Sequence, residues 1–288
     1  MSTGEKGGST RQAITKTQIQ DFCVSYPPIE EQRRIVAMLD EALAGVQQAT
    51  ANTERNLANT QELFDAHLQA IFANPADGWE EKTLKEIVSE MITGPFGSML
   101  HKSDYVDDGI PVINPQNIVD GKIISLAKTM ISRETKKRLS KYSLRERDLV
   151  VARRGEMGRC AIVTKDQEGW LCGTGSLVIR FKEYVDEQYL NLFLSSPISK
   201  SVLEENSSGT TMNNLSQGVL KQMQVPMPPL DEQRAIVAQL DALAAETQRL
   251  QAIYQQKLAA LQELKQAILQ QAFTPSTKVR RTSEVRRT

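Results

Sequence analysis

One stretch of this chain is written twice. Pro27-Pro28-Ile29-Glu30-Glu31-Gln32-Arg33-Arg34-Ile35-Val36 returns as Pro228-Pro229-Leu230-Asp231-Glu232-Gln233-Arg234-Ala235-Ile236-Val237. The offset of 201 residues holds without a gap from Gly8/Gly209 to Phe72/Phe273, and 25 of those 65 aligned positions are identical. A duplication at a fixed offset builds two copies of one structural element, with the unrepeated sequence held between them.

Both copies read as long helices. In the first, Ile35, Leu39, Leu43, Val46, Thr53, Leu57, Phe64, Leu68 and Ile71 advance in steps of three and four, the stripe of a helix with a period near 3.6. Pro27-Pro28 stands just ahead of the first turn, where a missing donor costs nothing, and Glu30/Glu31 complement the positive end of the helix dipole. Asn74-Pro75-Ala76-Asp77-Gly78 stops the run. The spacing therefore predicts a helix over 29–73, a rod of roughly 66 Å at ~1.5 Å per residue. In the second copy, over 229–273, Leu240, Thr247, Tyr254, Leu261 and Ile268 form one heptad seam, and Leu243, Leu250 and Leu264 the other, which Lys257 and Gln271 interrupt. The two stripes are most simply buried against each other. The joining domain permits either orientation, and the duplication, whose two-fold pseudo-symmetry places equivalent residues at opposite ends, favours an antiparallel coiled coil. The alternative is two independent helices, each docked on its own globular domain.

Between the rods, residues 79–228 read as one mixed α/β domain, so the expected fold class is α+β. Strands are predicted at Ile110–Ile113, Ile123–Ile124, Leu149–Ala152, Cys160–Val163 and Ser176–Phe181, and helices at Thr83–Glu90, Arg133–Lys141 and Asp186–Ser195. Residues 1–28 read as a polar, disordered start leading into the tail of a preceding unit, and 274–288 as a solvated basic extension. Three scattered cysteines, Cys23, Cys160 and Cys172, exclude a disulfide framework and a zinc ribbon and suit reduced thiols in the cytoplasm. The sequence has neither an apolar run of membrane length nor a signal peptide.

The formal net charge of zero conceals a basic block: Lys128 to Arg159 holds eleven basic and four acidic residues. Such a block is a candidate phosphate-backbone footprint. For Lys136, Lys137, Arg138 and Lys141 the other reading is a solvated helix face. Arg153-Arg154-Gly155 follows the β-like Leu149–Ala152 and enters a glycine-bounded turn, which would project arginines from a strand end. Arginine there either reads guanine or clamps phosphate, or else forms a structural ion pair. A second candidate is the polar loop Ser207–Leu215, with Thr211, Asn213 and Asn214; its other reading is a plain closing loop. A third, Thr93–Ser98 with His101-Lys102, lacks the Gly-Lys-Ser/Thr ending of a phosphate-binding loop and reads as a turn presenting Lys102.

Catalysis finds little support. His67 and His101 have no Cys or His at metal-ligand spacing, and no Gly-x-Ser-x-Gly elbow occurs. Ile113-Asn114-Pro115-Gln116 is similar to the Asn-Pro-Pro-aromatic tetrad of adenine methyltransferases, but lacks the second proline and the aromatic; it reads as a turn.

Several stretches resemble the specificity (S) subunit of type I restriction–modification systems: Gly94-Pro95-Phe96-Gly97-Ser98 with Leu100–Tyr105, Gly109–Asn114, Ala152–Gly158, and above all the repeated Pro-Pro-[Ile/Leu]-[Asp/Glu]-Glu-Gln-Arg-x-Ile-Val. Together they span the chain from Gly8 to Phe273. The resemblance implies a target-recognition domain flanked by two spacer helices paired antiparallel. It further implies a non-catalytic subunit, without cofactor or metal, that directs adenine methylation and ATP-dependent cleavage by partners. Those partners would be double-stranded DNA, methyltransferase (M) subunits and a restriction (R) subunit. DNA contacts are expected at Lys102, Lys136, Lys137, Lys141, Arg153, Arg154, Arg159, Thr211, Asn213 and Asn214. The partner-subunit interface is expected at Glu31, Gln32, Arg33, Glu232, Gln233 and Arg234. The family pattern has two recognition domains and this chain one, so it reads as a truncated subunit, a half-size one that forms a homodimer through its helices, or a fragment. The rival reading is a coiled-coil protein-interaction scaffold, which would bind no duplex DNA.

Overall fold

The computed structural model describes residues 16–20, 26–206 and 215–274. In chain order the helices and strands are α1 (Lys16–Gln20), α2 (Ile29–Ala73), β1 (Glu80–Thr83), α3 (Leu84–Ile87), β2 (Val88–Thr93), β3 (Tyr105–Val106), β4 (Ile110–Ile113), β5 (Ile118–Val119), β6 (Lys122–Ile123), β7 (Met130–Ile131), α4 (Arg133–Arg138), β8 (Leu149–Ala152), β9 (Cys160–Ile162), β10 (Leu171–Cys172), β11 (Ser176–Phe181), α5 (Glu187–Ser195), α6 (Pro197–Glu205), α7 (Gln217–Gln222), β12 (Gln224–Met227) and α8 (Leu230–Phe273). No helix among the described residues is long and apolar enough to cross a membrane.

The chain divides into two compact units, one of Met1–Arg55 with Gln255–Thr288, the other of Asn56–Tyr254. In the first, the α2 stripe buries Val46 and Thr53, and the Thr53 hydroxyl donates back to Ala49 O at 2.7 Å. In the second, α2 and α8 pack together antiparallel. Gln239 meets His67 at 3.0 Å while Gln251 donates to Gln61 at 3.4 Å, so one helix ascends as the other descends.

The second unit has two apolar cores separated by the antiparallel sheet β2-β11-β8-β9. Strand β8 explains the arrangement. Leu149 and Val151 point into the core shared with the helices, Val150 and Ala152 into the other, and all four are fully buried. A strand covered on both faces reads as an unbroken apolar run, here Leu-Val-Val-Ala. The helix-side core takes Leu68 and Phe72 of α2, Ile236 and Leu240 of α8, and Tyr189 and Phe193 of α5. Phe72 meets Tyr189 and Phe193 edge-on at 5.5 and 5.2 Å. The far core lies under the sheet β10-β4-β7-β3, in which β10 and β4 run parallel. Beneath the second copy of the repeated motif, β12 pairs antiparallel with β1, joining the two ends of the α/β region.

The helix expected at Thr83–Glu90 is cut to Leu84–Ile87, because Val88–Thr93 pairs with β11 instead. The helix expected at Arg133–Lys141 ends at Arg138 and continues as a 3-10 turn over Ser140–Tyr142. Helices α1, α6 and α7 and strands β1, β3, β5, β7, β10 and β12 add to the expected elements.

Candidate nucleic-acid interface

Three strands end at one edge of the central sheet. Thr93 of β2 faces Leu177 of β11, and Ser176 of β11 faces Ala152 of β8. Past these positions the chain leaves as loops that remain tied together. Gly94 N donates to Ser176 O at 3.0 Å, Arg153 N to Gly175 O at 2.9 Å, and Ala152 N to Arg159 O at 2.8 Å. Strand β4 joins the edge through Gly173 N donating to Ile113 O at 2.8 Å. The approach is so close that only glycine fits: a Cβ on Gly94 would overlap the Gly173 carbonyl, and one on Gly173 would overlap the Asn114 side chain.

The three arginines of this edge have different fates. Arg153 is half-buried; its Nε donates to Leu215 O at 2.8 Å while Leu215 N donates to its carbonyl at 2.9 Å. Burial, and then the neighbouring Arg154 charge, lower its pKa from the ordinary arginine value. Arg153 therefore anchors the segment at Leu215 through its Nε and is less exposed than Arg154. Arg154 is exposed and, among the described residues, has no intramolecular hydrogen bond or ion pair. Arg159 lies between, half-buried, with Nη1 donating to Pro115 O at 3.2 Å and Nη2 3.3 Å from Glu156. Glu156 also meets Lys200 at 3.3 Å, and Lys200 is the main reason its carboxyl sits below the usual range.

Lys102 and the α4 lysines form a separate group. Lys102 is exposed at the start of the 3-10 turn Lys102–Asp104. Asp104 accepts from His101 N at 2.7 Å and Arg138 Nη2 at 2.8 Å, and Arg138 Nη1 donates to Met99 O at 2.6 Å, which fastens this turn to α4. The His101 N–H first, and Arg138 with it, hold the Asp104 carboxyl below its ordinary value. Ser132 caps α4 by accepting from Thr135 N at 3.1 Å, and Thr135 and Leu139 turn inward. Lys137 and Lys141 are left exposed, and Lys136 is half-buried beside Gly169. Thr211, Asn213 and Asn214 lie outside the described residues.

The repeated motif also splits. Glu31 holds Arg34 through contacts of 2.9 and 2.7 Å, and Arg33 pairs with Glu30 at 3.0 Å, all exposed or half-exposed. Glu232 accepts the Trp79 indole N–H at 2.9 Å, and Arg234 is exposed. Gln233 is corrected: it is buried at 1% exposure, with Oε1 accepting from Asp186 N at 2.8 Å and Nε2 donating to Pro228 O at 2.8 Å. It fastens α8 to the start of α5 and presents nothing to a partner. Its counterpart Gln32 makes the same local bond, Nε2 to Pro27 O at 2.8 Å, but is only half-buried.

Sequence reasoning passed over Arg180, whose guanidinium spans Asp148 (2.9 and 3.0 Å) and Glu90 (2.5 Å) at the opposite end of the central sheet. Its position inside a strand full of apolar residues was the available signal. Among the described residues, no group of three or more His, Cys, Asp or Glu is placed to hold a metal. A groove of about 570 Å³ beside α6 and α7 is mainly apolar, lined by Phe72, Phe193, Val202 and Met223 among others.

The sequence matches the family model of the type I restriction modification DNA specificity domain over residues 2–56 and 76–258. It is 24% identical over 286 residues to the specificity subunit of the Escherichia coli type I restriction enzyme EcoBI, covering 90% of this chain and 59% of that protein. With the EcoKI specificity subunit of Escherichia coli (strain K12) it shares 27% over 168 residues, 57% of this chain and 35% of that one. Its fold is similar to a chain solved in work on complex assembly and conformational transition of a type I R-M system, with a TM-score of 0.74, 25% identity, and coverage of 93% of this chain and 65% of that one. It is also similar to the HsdS subunit of Thermoanaerobacter tengcongensis, with a TM-score of 0.58, 23% identity and coverage of 92% and 64%. The chain thus spans 59% and 35% of the length of these two curated relatives.

Proposed function

From the premise that this chain belongs to the type I restriction modification DNA specificity domain family, we propose that it recognises a duplex DNA sequence for a restriction–modification complex. The region between the paired helices reads one half of a split site, and the helices set where that reader sits. Methylation and cleavage belong to partners: M subunits, held in part through exposed groups of the repeated motif such as Glu31, Arg33 and Arg234, and an R subunit. The chain carries out no catalysis of its own and works in the cytoplasm.

The observation that carries this reading is the glycine-clamped sheet edge with Arg154 exposed and, among the described residues, without a hydrogen bond or ion pair. Phosphate contacts from Lys102, Lys137 and Lys141 add affinity without sequence preference, whereas side chains on rigid strand ends choose among bases. Arg154 can donate bidentately to guanine or clamp a phosphate, and its backbone is fixed by the neighbouring Arg153 bonds.

Fluorescence anisotropy on labelled duplexes across a salt series tests it. Arg154→Ala is expected to weaken binding with an unchanged circular dichroism spectrum. If Arg154 clamps a phosphate, the slope of log K against log salt falls by about 1. Wild-type protein without salt-dependent duplex binding, or Arg154→Ala with unchanged affinity, refutes the assignment.

A further inference from the structure

Besides Arg154, the described residues of this edge include an exposed side chain on a firmly held turn. Pro115–Asn117 forms a 3-10 turn directly after β4. Asn117 is fully buried beneath it: Oδ1 accepts from Asn114 N at 3.0 Å and Nδ2 donates to Ile124 O at 2.9 Å. Asn117 N closes the turn on Asn114 O at 2.9 Å. From the β8–β9 loop, Arg159 donates to Pro115 O at 3.2 Å. From the β10–β11 loop, Gly175 lies so close that an added Cβ would stand 2.8 Å from the Pro115 ring. Three separate segments therefore fix the backbone of Gln116, yet its side chain is exposed and has no intramolecular hydrogen bond among the described residues.

An exposed glutamine on a surface loop is ordinarily just solvated. Here the turn beneath it is pinned from both sides, the condition under which a side chain repeats one geometry against a ligand. Its neighbours on the edge are committed: Thr93 accepts from Gln217, Glu156 meets Lys200 and Arg159, and Arg153 holds Leu215. A free carboxamide carries one donor and one acceptor side by side, the complement of adenine N7 and N6–H₂ in the major groove. We infer that Gln116 is a base-reading residue that selects adenine at one position of the recognised half-site. The inference rests on the DNA-recognition reading above and adds a residue and a base to it.

The test is selection from a random duplex pool by the full chain, followed by sequencing of the bound fraction, with wild type, Gln116→Ala and Gln116→Glu compared. Melting curves check that all three are folded. Gln116→Ala is expected to lower the preference for adenine at a single position by about 5- to 150-fold, leaving other positions unchanged. Gln116→Glu is expected to move that position to cytosine, whose N4–H₂ a carboxylate accepts; should added charge abolish its binding, the alanine variant decides alone. Identical motifs from wild type and Gln116→Ala overturn the inference while leaving DNA recognition standing. A uniform loss of affinity at all sequences also overturns it, since that marks a phosphate contact. A wild-type chain that selects no motif overturns both.

Discussion

The duplicated motif supplies its own control experiment. Gln32 and Gln233 occupy equivalent places in the same local sequence and make the same bond to the carbonyl five residues back. Gln233 additionally accepts from Asp186 N at 2.8 Å and donates to Tyr184 O at 3.3 Å. Truncating Gln233 to alanine strands a donor at Asp186 and an acceptor at the buried Pro228, each costing about 1–3 kcal/mol, while the exposed Tyr184 carbonyl can turn to water. The expected loss is about 2–6 kcal/mol. For a cooperative unit of this size that corresponds to a Tm lowered by about 4–24 °C. Gln32→Ala removes one half-exposed bond whose acceptor can rehydrate, so its cost stays below about 1 kcal/mol and its Tm within about 3 °C of wild type. Thermal melts followed by circular dichroism, with urea titration as a second measure, compare the two. Equal losses would refute the reasoning, because they would show that the shared local bond, not the anchoring of α8 to α5, governs both sites.

Arg180→Met should destabilise by about 3–5 kcal/mol in urea titration, because it leaves the buried Asp148 carboxylate without its guanidinium; a loss below 1 kcal/mol would contradict this. Gly94→Ala should lower Tm and duplex affinity together, since its Cβ would displace the Gly173 carbonyl that aligns the loops, whereas Gly45→Ala, with open space around it in α2, should raise stability by about 1 kcal/mol. Cys160 and Cys172, buried and with pKa pushed up to about 12, should resist iodoacetamide at pH 8 until the protein is unfolded, as peptide mass mapping would show. Asp104 has a folded pKa below its unfolded one, so its stabilisation is present above the ordinary carboxylate range and is lost as pH falls through the lowered value. Asp104→Asn should accordingly flatten the acid limb of a Tm-against-pH profile below about pH 4.

Local periodicity is what the order of amino acids encodes on its own. Steps of three and four declared α2 and α8, and the apolar run Leu149–Ala152 declared a strand covered on both faces. The basic block and the glycine-bounded turn after β8 drew attention to the edge where Arg154 stands. Which residues of identical local pattern turn inward is set by packing between distant segments. Arg153 and Arg154 are neighbours in the same turn, yet one bonds through Nε to Leu215, 62 residues away, and the other has no hydrogen bond or ion pair among the described residues. Gln32 and Gln233 share one local bond, and only Gln233 is also met by Asp186 N and Tyr184 O among the described residues. Val88–Glu90 fits the end of a helix until β11 offers a hydrogen-bonded partner. The reason is common to all three. A helix stripe or strand alternation is set by neighbours a few residues away, whereas burial and hydrogen-bond partners are set by segments that meet only once the chain has closed, and those contacts outweigh a local preference worth less than about 1 kcal/mol per residue.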